Sequence, residues 1–265
     1  MNESISQAFS SGKVFIPFIT GGDPDLETTE KLLYALYQGG AGLIEIGVPF
    51  SDPIAEGPVI EAADERALKA GFTTDKLFEM VTRVRADIPI PLLFMTYYNP
   101  VFSYGLSRFT ARCAACGIDG LIVPDLPFEE REELLIPCQT HGLELISLIA
   151  PTSEERIAKI AGAAAGFLYC VSSLGVTGER SKLGDSARQM IGRAKQAQDI
   201  PCAVGFGVST PEQAREIAEF ADGVIIGSAI VRIIAEYGRD SVAPVKRFAQ
   251  EIKNSITLPG GNIND

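Results

Sequence analysis

Residues that commonly hold metals are scarce in this sequence: 265 residues contain one histidine, His141, and five cysteines. Only Cys113-Ala-Ala-Cys116 has redox or metal spacing, and no second pair accompanies it. That argues against a zinc site and leaves Cys113 and Cys116 as helix-packing residues. An odd cysteine count, with Cys170 and Cys202 inside apolar runs, suits a reducing compartment better than a disulfide framework. Basic residues are also in deficit, 23 against 34 acidic, for a net charge of -11. Nucleic-acid phosphates would be repelled by such a surface, although a local pocket for a small anion is compatible with it. No apolar run reaches the roughly 18 residues needed to cross a bilayer. The start, MNESISQAFSSGK, lacks the basic and apolar regions of a signal peptide, so a cytoplasmic location is expected. Low-complexity stretches, linkers and composition breaks are missing too, and a single domain over residues 1–265 is the simplest reading.

What the sequence does contain is an alternation of two signatures. Short apolar or β-branched runs appear at Val14–Thr20, Gly42–Gly47, Pro91–Thr96, Gly120–Val123, Leu143–Ile149, Phe167–Val171, Cys202–Phe206 and Gly223–Ile226. Most are apolar on both faces, as parallel strands buried between layers must be. Helical patterns lie between them, including Leu26–Gln38, Thr74–Ala86, Glu129–Thr140 (with Pro137 a point of kinking or early termination), Pro211–Phe220 and Ala229–Glu236. A further helix at about Ser4–Ser10 precedes the first strand. Eight strand–helix units favour a (β/α)8 TIM barrel with an additional N-terminal helix and extra helices in the βα connections. An open dinucleotide-binding sheet is disfavoured, because no G-x-G-x-x-G follows the first strand.

In such a barrel, functional groups gather at the C-terminal ends of the strands. Glu45 interrupts an apolar strand, and a carboxylate there needs either an ion-pair partner or a function. Low-dielectric surroundings would raise its pKa, which suits a proton shuttle. Glu56 follows in a loop stiffened by Pro49, Pro53 and Pro58, as a second acid/base group or a solvated charge. Glycine-rich segments follow strands 6, 7 and 8: Gly175-Val176-Thr177-Gly178, Gly205-Phe206-Gly207 and Gly227-Ser228. Glycine lets backbone N–H groups approach an anion, and Gly227-Ser228 opens a helix whose N-terminus would point at a phosphate. The segment Leu174–Asp185 is long, polar and glycine-hinged, either a mobile lid or a plain surface loop.

Six segments together resemble the tryptophan synthase α subunits: Phe15–Pro24, Ile44–Pro53, Met95–Val101, Pro124–Pro127, Gly175–Gly178 and Gly205–Gly207. The match runs in order along nearly the whole chain. It implies a lyase that cleaves indole-3-glycerol phosphate to indole and glyceraldehyde 3-phosphate by retro-aldol chemistry. Under that resemblance Glu45 handles protons at indole C3 and the side-chain hydroxyl, while Glu56 accepts a hydrogen bond from the indole N–H. Phe18, Tyr97 and Tyr169 match positions lining the indole pocket; Gly178, Gly207, Gly227 and Ser228 match the phosphate cradle, with Gly205 in the same glycine loop as Gly207. Thr177 would reach Glu56 when the lid closes. No metal and no cofactor is implied for this subunit; pyridoxal phosphate is expected in a partner β subunit, within an αββα assembly faced by Asn99, Asp125 and Pro127. Two departures stand out. The family's usual aspartate is Glu56 here, in Ala55-Glu56-Gly57-Pro58, and Ser173 stands where some members carry arginine. An extra methylene moves the carboxylate by roughly 1 Å, enough to cost about a hundredfold in rate if nothing compensates. A cleavage-impaired subunit serving mainly as allosteric activator of β is therefore the alternative. A Schiff-base aldolase is disfavoured because no lysine lies within the eight strand cores.

Overall fold

The computed structural model describes residues 3–151, 154–171, 180–205 and 207–257, with side chains for 5–151, 154–171, 186–205 and 207–257. Eight parallel strands close into a barrel in sequence order: β1 Val14–Thr20, β2 Ile44–Gly47, β3 Leu92–Met95, β4 Gly120–Ile122, β5 Glu144–Ile149, β6 Leu168–Val171, β7 Cys202–Gly205 and β8 Gly223–Ile226. Pairing of Val14 with Gly223 and Ile16 with Ile225 closes the ring between first and last strands. Every expected strand forms, several of them one or two residues shorter at an end. At those ends single ladder bonds replace continuous pairing, as where Gly42 N–H donates to Phe15 O at 3.0 Å.

Helices α1 (Glu3–Ala8), α2 (Leu26–Gln38), α3 (Pro58–Lys69), α4 (Thr74–Val84), α5 (Tyr98–Tyr104) and α6 (Leu106–Cys116) accompany the first half. The second half carries α7 (Glu132–Thr140), α8 (Glu154–Ala161), α9 (Arg180–Ala197), α10 (Pro211–Ala218), α11 (Ser228–Tyr237) and α12 (Val242–Thr257). Local chemistry explains their starts. Asp25 accepts from Thr28 N–H, Thr73 from Lys76 N–H and Thr210 from Gln213 N–H, each satisfying a donor that the first helical turn leaves free. The helix expected over 129–140 divides: a 3₁₀ turn spans Phe128–Glu130, and α7 then runs through Pro137 to Thr140. One proline removes a single i→i−4 bond, and the apolar contacts of Leu134 and Cys138 with the core retain the helix. Residues 180–185, expected as loop, are the opening turns of α9.

Two apolar layers result from strand alternation. Val14, Ile16, Leu43, Leu93, Ile122, Ile146, Phe167, Tyr169, Ala203 and Ile225 fill the barrel interior. Outward residues such as Phe15, Ile44, Ile46, Phe94 and Val224 pack beneath the helices. Cys113 and Cys116 lie buried on α6 as free thiols, packing residues as expected, and burial pushes both above the ordinary thiol range. No helix among the described residues is long and apolar enough to cross a membrane.

Candidate active site

On β2 the side chains alternate: Ile44 and Ile46 join the outer layer, which turns Leu43 and Glu45 into the barrel. Glu45 is fully buried, and among the described residues neither carboxylate oxygen has a hydrogen-bond partner. Burial alone pushes its pKa well above the ordinary value of 4.5, which favours the protonated carboxyl group. Beside it, burial and the potential of Glu45 raise the Tyr169 phenol well above its usual range. The neighbouring strand makes room for this ring: a Cβ on Gly205 would come within 2.7 Å of the Tyr169 hydroxyl. Gly47 does the same for Phe18, whose ring would lie 2.6 Å from a Cβ there.

These rings form the floor of a cavity of about 710 Å³ at the C-terminal ends of the strands. Phe18, Glu56, Tyr169, Gly207, Gly227 and Ser228 all line it, as do Ile60, Met95, Leu148 and Val171. The last four were not read from the sequence as site residues, since apolar residues near strand ends look like any other core residues. Arg232, one turn into α11, adds the cavity's single cation among the described lining residues. Gly207 holds a φ of +82°, a left-handed conformation that explains glycine at this position. Ser228 begins α11, where backbone N–H groups lack intrahelical partners and favour an anion.

Glu45 lies beneath the lining rather than in it, beside Phe18 through strand pairing. Gly205 stands behind the Tyr169 ring. Tyr97, expected in the indole pocket, instead braces the β2–α3 loop: its hydroxyl accepts Ala55 N–H at 3.0 Å, and its ring centroid is 5.5 Å from that of Phe50. The reason is its place just beyond β3 as the residue preceding α5, which sets it under the loop. Asp125 accepts Tyr98 N–H at 2.9 Å and so caps α5, while Asn99 and Pro127 are exposed. Thr177, Gly178 and Ser173 lie outside the described residues, as does 174–179 of the expected lid. Among the described residues no group of three metal-ligating side chains converges.

A family model for the tryptophan synthase alpha chain matches residues 6–257. The chain belongs to that family. The tryptophan synthase alpha chain of Lacticaseibacillus casei is 46% identical over 252 residues, covering 95% of each chain. That of Picosynechococcus sp. is 47% identical over 261 residues, covering 96% of this chain and 99% of the relative. Among solved structures, the tryptophan synthase subunit alpha of Legionella pneumophila superposes with a TM-score of 0.88 at 37% identity, over 97% of this chain and 98% of that one. The tryptophan synthase a2b2 complex from Pyrococcus furiosus gives a TM-score of 0.85 at 40% identity, over 92% and 98%. The cavity at the barrel mouth is thus described in a tryptophan synthase alpha chain whose relatives match it almost end to end.

Proposed function

We propose that this chain, a single domain over residues 1–265, cleaves indole-3-glycerol phosphate to indole and glyceraldehyde 3-phosphate, as the alpha subunit of tryptophan synthase. One observation carries the mechanism: Glu45 is a fully buried, unpartnered carboxyl group, among the described residues, beside an apolar cavity that ends at a helix N-terminus, and burial favours its protonated form. A neutral acid is ready to give a proton to indole C3. The resulting carboxylate then takes the proton of the side-chain hydroxyl as the carbon–carbon bond breaks, which forms the aldehyde and returns Glu45 to its starting state. Positive charge grows at the ring nitrogen during this step, and the Glu56 carboxylate accepts the indole N–H and stabilises it. Phe18 and Tyr169 hold the indole ring between apolar walls. Gly207, Gly227 and Ser228 offer backbone and hydroxyl donors to the phosphate, with Gly205 setting the depth of the pocket. Tyr97 acts through Ala55 by holding the loop that carries Glu56. The roles of Thr177 and Gly178 rest on the family resemblance.

The partner in this reading is a tryptophan synthase β subunit carrying pyridoxal phosphate, joined as αββα; exposed Ile54 and Phe102 at the mouth end of the barrel support a docking face there. Five buried free thiols support a cytoplasmic setting. The lyase reading is favoured over a pure activator because Glu56 reaches the cavity wall despite its extra methylene. The test is indole release by the purified chain, with and without cognate β subunit, beside Glu56→Asp. Wild-type turnover that β enhances is expected; turnover confined to Glu56→Asp would make the natural chain an activator.

A further inference from the structure

The loop after β7 is tied down from outside the cavity. Gly207, Val208 and Ser209 line the barrel mouth in succession, between Gly205 at the end of β7 and Pro211 at the start of α10. Gly207 holds its left-handed φ of +82°, and the Val208 side chain is buried in the layer beneath the helices. Ser209 has a short polar side chain and no such apolar anchor. Gln213, in the first turn of α10, supplies one: its Oε1 accepts the Ser209 backbone N–H at 2.8 Å and the Ser209 hydroxyl at 3.0 Å.

The contact departs from an ordinary helix start. Thr210 is the N-cap and accepts the Gln213 N–H at 3.3 Å. In a capping box the Gln213 side chain would return to the N–H of Thr210 itself. Here it reaches one residue further back, so its bonds hold the loop rather than the cap. A backbone N–H can only donate, so the amide oxygen of Gln213, and not its NH2, faces Ser209. The two lone pairs of that one oxygen take both donors of Ser209.

We propose that Gln213 is a positioning residue for the phosphate end of the pocket: by holding Ser209 it keeps the Gly207–Ser209 turn ordered where the substrate's phosphate binds. This rests on the lyase reading for the identity of the anion. Gln213 itself is not among the residues that line the cavity, whereas the turn it holds shares that cavity with Gly227 and Ser228 at the start of α11. Without the two bonds the turn has to be ordered at the moment of binding, which lowers affinity. The phosphate takes no part in bond breaking, so its contacts serve ground state and transition state alike. Losing the brace therefore raises KM and leaves kcat.

The experiment measures KM and kcat for indole-3-glycerol phosphate with β subunit present, and the affinity of the full chain for inorganic phosphate by amide chemical-shift titration. Gln213→Met keeps the length of the side chain and removes the acceptor. It is expected to raise KM and to weaken phosphate binding by about five- to tenfold, the worth of one or two hydrogen bonds, with kcat within about twofold. Thr210→Ala removes the cap of the same helix and leaves the Ser209 bonds, so it is expected to destabilise the chain while phosphate affinity stays within about twofold. Unchanged KM in Gln213→Met, a fall confined to kcat, or an equal loss of phosphate affinity in Thr210→Ala would overturn the proposal. Hydrogen exchange on the wild type covers a Gln213→Met that folds poorly: the Ser209 amide is expected to be protected, and exchange at the rate of an open loop would overturn the brace. Phosphate binding that depends on Gln213 in a chain without cleavage would uphold the brace and sink the lyase reading instead.

Discussion

Glu45 ties stability to pH as well as to chemistry. Burial raises the pKa of its carboxyl group in the native state, whereas the unfolded chain releases the proton near 4.5. Below that value both states are protonated and burial carries no charge penalty. As pH rises above it, the unfolded state is progressively favoured until the raised native pKa is passed. Glu45→Gln lacks this drift, so its stability advantage over wild type is expected to widen from about pH 4.5 upward in thermal melts at stepped pH. A gap that stays constant with pH would mean that Glu45 is not held neutral. In the same variant cleavage is expected to fall by about 10²–10⁴-fold, the usual contribution of a positioned acid/base. Glutamine fits the same space, so β binding should persist, and unchanged turnover would remove Glu45 from the proton path.

At the level of elements, the β2–α3 segment is the most strongly determined part of the mouth. Pro58 occupies the first turn of α3, Tyr97 holds Ala55, and Arg66 ties α3 to the β1–α2 loop through fully buried Asp23. Arg66→Met strands the Asp23 charge. Because the Arg66 side chain keeps 34% exposure, solvent screens part of the effect. A loss of about 1–3 kcal/mol in urea unfolding is expected, below the range for a fully buried pair. Cleavage should weaken as well, since the same helix directly follows the loop that carries Glu56. A variant with full stability would show that the ion pair merely decorates the loop.

For the whole molecule, the acidic surface and the apolar mouth divide the work. Ile54 is 80% exposed and Phe102 is 60% exposed, both on connections leaving the C-terminal ends of strands. Single apolar residues on a surface are ordinary, but these two sit on the face proposed to meet β. Phe102→Ser is expected to weaken β binding by roughly five- to thirtyfold, about 1–2 kcal/mol. Melting of the isolated chain should shift by no more than about 0.5 kcal/mol equivalent, as for other exposed positions. Undiminished titration of β stimulation would move the interface elsewhere.

The sequence by itself pointed to the strands, their order and closure into a barrel, because most strands are short runs apolar on both faces and the connections carry the helical segments that a parallel return needs. It also singled out Glu45, since one carboxylate in an apolar strand is a signal that needs no coordinates, and the glycines after strands 7 and 8. Tertiary structure alone decided what depends on contacts between distant segments. It set Tyr97 under Ala55 across 42 residues of sequence, put Gly205 behind the Tyr169 ring, and buried Asp64 on the inner face of α3. Asp64 in particular reads in sequence as one more charge on an amphipathic helix. Only the packing of α3 against β1 and α11 removes it from water, and burial, followed by the charge of Glu56, pushes its carboxyl group up to about 8.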